Sequence, residues 1–395
     1  MNEVAELELP TQENIHSDLR LVFRGAVKLA LETVLDEVVR DLIGARRWQR
    51  LASRKDVRNG TYLRSLLTTM GMIDVEVPRT RGSGSPIDVL GRYKRRVSEL
   101  DDGIVAAYVA GSSTRDVGDI TEALVGKRVG RSTVSRVAKS LGDKVEELRK
   151  APIIGPIPYL FLDATFLDAR WARTVENVSA LVAYGVGMDG HRQLLAVTIG
   201  TEESEASWSE LLAQLNERGL SGVQLAVADA HSGLAKAFRQ HLPEVPLQRC
   251  VVHLLRNILA KAPQRLRGRL AREVLKIFEA SSKAEAKKRM EHLQLRFGRQ
   301  VPEAMECLLN GFEAATRFYM FPRQHWRRIR TTNGLERLHG EVKRRINAVG
   351  AFPDRQSALR LITAVALNTT ALWAARRYLD MSLLQQKEVA VTKAA

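Results

Sequence analysis

Cysteine is scarce in this chain. Cys250 and Cys307 are the only two in 395 residues, which excludes a disulfide framework and points to a reducing cytoplasm. Long apolar runs are missing as well. No uninterrupted stretch approaches the roughly 20 residues that span a bilayer, so no membrane partner is expected. The stretch Met1 to Pro10 is acidic and has no apolar centre, so no secretory leader is expected. Acidic charge is in deficit, with 45 Asp and Glu against 61 Lys and Arg, a formal net charge of +16. Such an excess of cations favours polyanionic partners, because Lys and Arg release counterions from phosphates. Ribosomal proteins and polybasic membrane binders share that bias, so charge alone does not decide. Hydrophobic content of 45% and charged content of 27% suit a globular protein with a substantial core, and the length suits two or three domains.

Residues 1–96 read as a helical and β-hairpin domain. Helical periodicity over residues 17–52 groups Phe23, Val27, Ala30, Leu31, Val34, Val38 and Leu42 on one broad face. Ile73, Val75 and Val77 alternate with Asp74 and Glu76 as in a strand, Tyr62 to Thr68 is its partner, and Met70-Gly71 is the turn. Pro78 and the stretch Gly82 to Pro86 close the unit with a loop. Residues 97–150 read as helices over 101–110 and Thr114 to Val125, then a third from Ser132 or Thr133 to about Lys150. Helices joined by a short Gly-containing turn, the second opening on Arg131, Ser132 and Thr133, resemble a helix-turn-helix. Eight Lys or Arg face three Asp or Glu between Gly126 and Lys150. Arg131, Ser132, Thr133, Arg136 and Lys139 are therefore candidate DNA contacts; the competing reading is a helical linker with a solvated basic face.

After the Pro-rich linker Pro152 to Pro158, three apolar segments follow: Tyr159 to Leu167, Val178 to Val186 and Gln193 to Ile199. Gly187 to Gly190 supplies a hairpin signal. An amphipathic helix from Ser204 to Arg218, a strand from Val223 to Ala228, a helix over 232–242 and a strand from Val245 to Val252 complete an α/β order. Residues 254–330 are helical throughout and read as an insertion. A helix carrying Glu336 and another near 355–378 follow, and residues 379–395 form a tail. Three antiparallel strands followed by helix, strand, helix and strand resemble the ribonuclease-H-like layout. That layout implies a catalytic domain over 151–253 and 331–378, interrupted by the all-helical insertion at 254–330 and preceded by N-terminal helical DNA-binding domains at 1–96 and 97–150.

Three acids stand out. Asp163 interrupts an apolar run, where a carboxylate costs free energy unless ligated or paired. Asp229 ends a strand, although an acid there also serves as a helix N-cap. Glu336 falls in the first turn after Asn333, a candidate N-cap. Two-metal phosphoryl transfer needs carboxylates that converge on a pair of ions roughly 4 Å apart. Mg²⁺ takes hard oxygen ligands and keeps waters, so two or three acids suffice. Glu341 competes with Glu336, but the two point about 140° apart on a helix; Glu341 is expected to pair with Arg337 or Arg345 instead. Between Phe321 and Arg345, eight Lys or Arg stand against two acids. Trp326 there is either a stacking platform for unpaired bases or a core anchor. Cys250-x-x-His253 is either half of a zinc site, lacking a second pair, or a structural or DNA-proximal element. His231 is either a phosphate- or water-positioning group or a plain hydrogen-bonding histidine.

These blocks, in this order, resemble the mutator-type transposases of bacterial insertion sequences: Leu162-Asp163-Ala164-Thr165, Asp229-Ala230-His231, Cys250-Val251-Val252-His253, then Arg330-Thr331-Thr332-Asn333-Gly334-Leu335-Glu336-Arg337 and Lys343-Arg344-Arg345. Arg58-Asn59-Gly60 and Val77-Pro78-Arg79 extend the resemblance over nearly the whole chain. It implies that Asp163, Asp229 and Glu336 are catalytic acids and metal ligands, with two Mg²⁺ ions, or Mn²⁺ in their place, as cofactor. It implies DNA contacts at His231, Arg249, Trp326, Arg327, Arg328, Arg330, Asn333, Arg337, Lys343, Arg344 and Arg345, with Cys250 and His253 structural or DNA-proximal. His339 departs from the family pattern, where Asn is expected, and so does Asp168, where a basic residue is common. The implied protein binds the terminal inverted repeats of a mobile element, cuts and joins DNA, and works as a homodimer or larger assembly in the bacterial cytoplasm, nucleoid-associated. A non-catalytic DNA-binding regulator and a structure-specific nuclease are the rival readings. All three acids being present speaks against the first, and the helix-turn-helix and long helical insertion speak against the second.

Overall fold

The computed structural model describes residues 12–82, 94–171, 174–200, 202–349, 352–373 and 375–384. The acidic N-terminal stretch, the loop beyond Gly82 up to Pro86 and the tail from Gln385 lie outside these. The chain divides into two compact units, Met1–Ala138 and Lys139–Ala395.

In the first unit, helix α1 (Gln12–Ile43) packs on a two-stranded antiparallel ribbon, β1 (Arg58–Thr68) and β2 (Gly71–Thr80). Ile73, Val75 and Val77 are buried while Asp74 and Glu76 are exposed, the period of two expected from the sequence. Gly71 takes φ +112° at the turn, a conformation that side chains other than glycine resist. The apolar face of α1 differs from the expected one. Val27 and Leu31 do pack inward, but the buried stripe continues through Leu35, Val39 and Ile43, leaving Phe23 and Val34 exposed. A two-stranded ribbon is narrow and covers only a strict i, i+4 stripe. Helices α2 (Ser98–Ala110), α3 (Thr114–Val125) and α4 (Arg131–Val137) enclose Leu100, Ile104, Val117, Val125 and Val134. Ser113 and Asp116 form a reciprocal capping box that starts α3, and Gly126 ends it in the left-handed region.

The single helix expected from Ser132 to Lys150 is broken. After α4 the chain tightens into a 3₁₀ turn, Ala138–Ser140, and α5 (Leu141–Lys150) follows. The break coincides with the division between the units. Leu141 and Val145 on α5 are buried, and α5 packs on α14 (Arg355–Ala371) of the second unit.

The second unit is built on a mixed five-stranded sheet in the order β5-β4-β3-β6-β7. Strands β3 (Tyr159–Trp171), β4 (Thr174–Val186) and β5 (Arg192–Gly200) are antiparallel; β6 (Leu225–Ala228) and β7 (Leu247–Arg249) join in parallel. Helices α6 (Glu205–Glu217) and α7 (Ser232–His241) supply Trp208, Leu211, Leu215, Leu234 and Phe238 to a core shared with Leu160, Leu162, Leu181 and Ala183 of the strands. The fifth strand, expected over Val245 to Val252, is only three residues long. From Val251 the apolar residues Val251, Leu254 and Ile258 follow helical spacing and α8 (Val251–Ala260) begins. Helices α9 (Gln264–Phe278), α10 (Lys283–Phe297) and α11 (Pro302–Ala315), a 3₁₀ turn (Arg317–Met320) and the short α12 (Trp326–Ile329) come next, then α13 (Asn333–Val349). Gln248 locks the sheet edge to this helical segment. Its amide donates to the Ala315 carbonyl at 2.8 Å, and its oxygen accepts from the Phe318 N–H at 2.9 Å. Helix α14 ends at Ala371, earlier than the expected 378. No helix among the described residues is long and apolar enough to cross a membrane.

Candidate functional site

Strand β3 is covered on both faces, and it carries Asp163 into the interior at 7% exposure. The parallel register with β6 pairs Tyr159 with Leu225 and Phe161 with Val227. Asp163 and Asp229 each lie two residues beyond that last pair, so the same register brings them abreast at the C-terminal ends of the paired segments. Each accepts a hydrogen bond from the next residue's N–H: Ala164 to Asp163 Oδ1 at 3.1 Å, and Ala230 to Asp229 Oδ1 at 2.6 Å. Burial pushes the Asp163 carboxyl up to about 7. His253 and the Ala164 N–H oppose this, while Asp229 and Glu336 add to it. Asp163 thus senses both other acids electrostatically.

Glu336 reaches the same region through its helix start. The Leu335 and Glu336 N–H groups donate to the Thr332 carbonyl at 2.8 and 3.1 Å, so Thr332, rather than Asn333, takes the cap position. Thr332 is buried, and its N–H donates to Cys250 Sγ at 3.4 Å. The Val251 N–H donates to the Arg330 carbonyl at 3.0 Å. These bonds fasten the start of α13 to the start of α8. Gly334 permits a second close approach, because a Cβ there would lie 2.7 Å from the Tyr184 hydroxyl. Tyr184 is fully buried on β4, stacked on Phe161 with ring centroids 4.4 Å apart.

With α8 and α13 so joined, His253 and Arg256 face Glu336. Glu336 Oε1 lies 3.7 Å from His253 Nε2 and 2.8 Å from Arg256 Nη2. The adjacent Cys250 side chain, with the charges of Asp163 and Asp229, holds His253 up at about 9 against the opposing effect of burial, so its imidazole is cationic at neutral pH. One turn further along α13, His339 Nδ1 lies 3.5 Å from Asp163 Oδ2. Burial, with the charges of Lys343 and His253, lowers His339 to about 4, so this contact joins a neutral ring to the acid. Among the described residues no three His, Cys, Asp or Glu side chains are gathered closely enough to hold a metal ion. The acids surround one region, with Glu336 engaged by two cations. The Cys250 sulfur accepts from the Thr332 N–H and hydroxyl.

The remaining candidates divide among several settings. His231 Nδ1 lies 3.6 Å from Glu203, an acid that the sequence gave no reason to single out. Burial raises the Glu203 carboxyl, His231 lowers it, and Asp229 raises it further, so it borders the same region. Arg249 turns its guanidinium toward Gly311 of α11. Trp326 donates from Nε1 to the Phe321 carbonyl at 2.7 Å and sits edge-on to Phe318 and Tyr319, within the aromatic packing of the helical segment. Arg327, Arg328, Arg330, Asn333 and Arg337 line a cavity of about 260 Å³. Arg192 and Tyr378, from distant parts of the chain, also line it, beside an apolar wall of Val251, Val252, Leu275 and Phe278; nothing in the sequence neighbourhood of Arg192 or Tyr378 marks them. Glu341 pairs at 3.7 Å with Arg345, one of its two expected partners, and at 2.9 Å with Arg344, and Lys343 is exposed. In the first unit Arg131, Ser132 and Arg136 are exposed on α4, and Thr133 borders a separate cavity of about 790 Å³. Lys139, exposed in the 3₁₀ turn, falls in the second unit.

A family model described as "Transposase, Mutator family" matches residues 2–376. The chain is 34% identical over 379 residues to the transposase for insertion sequence element ISRM5 of Rhizobium meliloti (strain 1021), covering 95% of this chain and 94% of that protein. It is 34% identical over 363 residues to the transposase for insertion sequence element IS256 in transposon Tn4001 of Staphylococcus aureus, covering 89% and 93%. It is 33% identical over 374 residues to the transposase for insertion sequence element IS1081 of Mycobacterium tuberculosis (strain ATCC 25618 / H37Rv), covering 94% and 90%.

Proposed function

The chain belongs to the Mutator family of transposases, and on that premise we propose that it binds the terminal inverted repeats of an insertion sequence and catalyses Mg²⁺-dependent strand cleavage and strand transfer. In this reading the second unit is a ribonuclease-H-like catalytic domain with residues 254–330 inserted, and the helices of the first unit bind the element ends. One observation carries it: a buried carboxyl, Asp163, sits abreast of Asp229 and senses Glu336 from a helix more than a hundred residues away in sequence.

The three acids are not gathered into a metal-ligand set as they stand, but their donor chemistry fits a hard divalent cation that would draw them together. Asp163 is desolvated and held near its own titration point, a state that an arriving positive charge would relieve. Glu336 Oε1 is buried and makes no hydrogen bond, because the approach of Arg256 is poorly directed. Asp163, Asp229 and Glu336 would hold the ions. Bound there, they would supply activation of the attacking oxygen and stabilisation of the leaving one. The chain's own groups do the rest. The Ala164 and Ala230 N–H groups fix the rotation of the two aspartates. Cationic His253 and Arg256, once Glu336 turns to a metal, are placed to bind phosphate oxygens and stabilise the charge that develops on them.

The test is incubation of the purified chain with a labelled element end, a target duplex and Mg²⁺, mapping the cut strand and the joined product. Wild type is expected to free a 3′-hydroxyl at the element end and join it to target. Asp229→Asn and Glu336→Gln are expected to do neither while still binding the end. Cutting that persists unchanged after Glu336→Gln removes that residue from the site.

A further inference from the structure

The cavity bordered by the first turn of α13 has an unusual charge balance. Five guanidiniums line it, those of Arg192, Arg327, Arg328, Arg330 and Arg337. Among the described residues, none of the five has a carboxylate within ion-pair distance. Three of them rest instead on aromatic rings and a carbonyl. The Arg192 guanidinium lies 4.2 Å from the ring centre of Trp373 and 4.5 Å from that of Tyr378, and Arg328 lies 4.9 Å from Tyr378. Arg330 donates to the Phe278 carbonyl at 2.6 Å. Rings and carbonyls hold a cation in place without cancelling its charge. Burial disfavours the charge on Arg192; Tyr184 and Tyr378 support it, and Arg328 and Arg337 add like-charge repulsion, while Glu279 supports Arg330 from beyond ion-pair distance. The Nε of Arg192 is buried with no hydrogen-bond partner. Preorganised, mutually repelling donors with one orphan among them describe a site built for an anion.

Size and position narrow the anion. About 260 Å³ falls below the range of pockets that enclose whole small molecules; it suits one phosphate group and its sugar. Arg192 is recessed against the buried Trp373, so a phosphate must lead into the cavity to reach it. An unpaired strand, released from stacking, turns a phosphate inward more readily than a duplex, whose neighbouring phosphates are held in register by the stacked pairs. Arg337 adjoins Glu336 in the chain, so whatever enters lies one residue from the acid region. We propose that this cavity seats a single phosphodiester of an unpaired DNA strand, gripping beside α13 the strand whose bond is cut on the helix's other side. The inference rests on the transposase reading above, and it adds Arg192 and Tyr378 to the residues that handle DNA.

The experiment measures affinity of the full chain for two DNAs: a blunt element end, and the same end with an unpaired 3′ extension. Salt is varied from about 50 to 200 mM, the range over which phosphate contacts register. Wild type is expected to prefer the extended end by roughly tenfold, the scale of a charge-assisted contact. Arg192→Gln and Arg337→Gln are expected to lose that preference and to lower the salt slope by about 0.7 per lost single-strand contact. Arg337 is exposed, so its variant reports even where Arg192→Gln perturbs packing on Trp373. A neutral methylphosphonate walked along the extension is expected to weaken wild type at one position and to leave Arg337→Gln unaffected there. Equal preference and equal slope in wild type and Arg337→Gln overturn the pocket while the transposase reading stands. A wild-type chain that binds neither DNA overturns both.

Discussion

The first turn of α13 separates two polar regions built on opposite electrostatic terms. On one side Glu336, and His339 a turn later, meet Asp163 on β3, where burial drives a carboxyl toward its neutral form. On the other side Asn333, Gly334 and Arg337 border five arginines that have no carboxylate partner among the described residues. The acids want a cation and the arginines want an anion. The arginines of the first unit offer a contrast. Arg96 is paired with Asp101 at 2.7 Å, and Arg128 with Asp119 and Glu122, so two of the cations lining that cavity are answered by carboxylates inside the protein, where none of the five beside α13 is. Basic composition is therefore a poor guide to where an anion binds; the presence or absence of an internal counter-charge decides it.

The sharpest way to break this division is to injure the two sides separately. Asp163→Asn keeps shape and removes the buried charge. It is expected to lower the cleavage rate on the order of a thousandfold or more while leaving affinity for an element end within about twofold. A parallel loss of affinity would mean that the acid region binds DNA, and the distinction between the sides would collapse. Gly334→Ala attacks the boundary itself. The new methyl would meet the Tyr184 hydroxyl at 2.7 Å, and overpacking of this kind costs about 1–3 kcal/mol. Because Gly334 seats the turn that serves both sides, the variant is expected to lower the melting temperature, the cleavage rate and the preference for an unpaired strand together. A variant that loses only one of the two functions would show that the sides do not share this hinge.

Much of this was readable from residues alone, and the failures have physical causes. The hairpin at Met70-Gly71, the limits of α3 and the succession of strands and helices from β3 to α7 followed from apolar period and turn chemistry. The strand expected at Val245 to Val252 failed because Val251 and Val252 satisfy both a short apolar strand and the first turn of a helix, and only the packing of Leu254 and Ile258 decides. The acids stood out because a charged residue within an apolar run is a local signal. Arg256, Glu203, Arg192 and Tyr378 did not, because they owe their place to tertiary approach: Arg256 to the bonds joining α8 to α13, and Arg192 to two aromatic rings nearly two hundred residues away. A cation held by rings leaves no complementary charge in the sequence to betray it.

The scaffold has a pH dependence of its own, which must be known before any pH profile of the site is read. His325, at 1% exposure, uses both ring nitrogens: Nε2 donates to the Asp380 carbonyl at 2.9 Å, so Nδ1 accepts from the Tyr159 hydroxyl at 2.8 Å. Burial holds it below the usual histidine value against the pull of Asp380. A histidine lowered in the folded state contributes stability that is fully present above about pH 6.5 and is lost as pH falls from there toward the folded value. Wild-type stability is therefore expected to decline by up to about 1.4 kcal/mol per pH unit below pH 6.5 from this group. His325→Gln, less stable throughout, is expected to show a shallower slope in denaturant titrations at pH 7, 6 and 5. Equal slopes would mean that the ring is hydrated or already charged in the fold.

The smallest expected effect tests which carboxylate of α13 belongs to the acid region. Glu341 lies five residues after Glu336 on the same helix, and its partners Arg344 and Arg345 are within one turn at 2.9 and 3.7 Å. Such pairs at a solvated helix surface contribute about 0.3–0.5 kcal/mol, near the limit of a melting measurement. Glu341→Gln is accordingly expected to leave stability within that amount and cleavage within about twofold of wild type. It also frees two cations next to Lys343, so affinity for DNA should rise slightly, and more so at low salt. A large loss of cleavage in Glu341→Gln, with Glu336→Gln active, would exchange the roles of the two glutamates and turn the catalytic side of α13 by about 140°. Glu341 stands one turn beyond Arg337 on the same face, so the chemistry and the arginine cavity would then share one side of α13, and the division between the two sides would be gone.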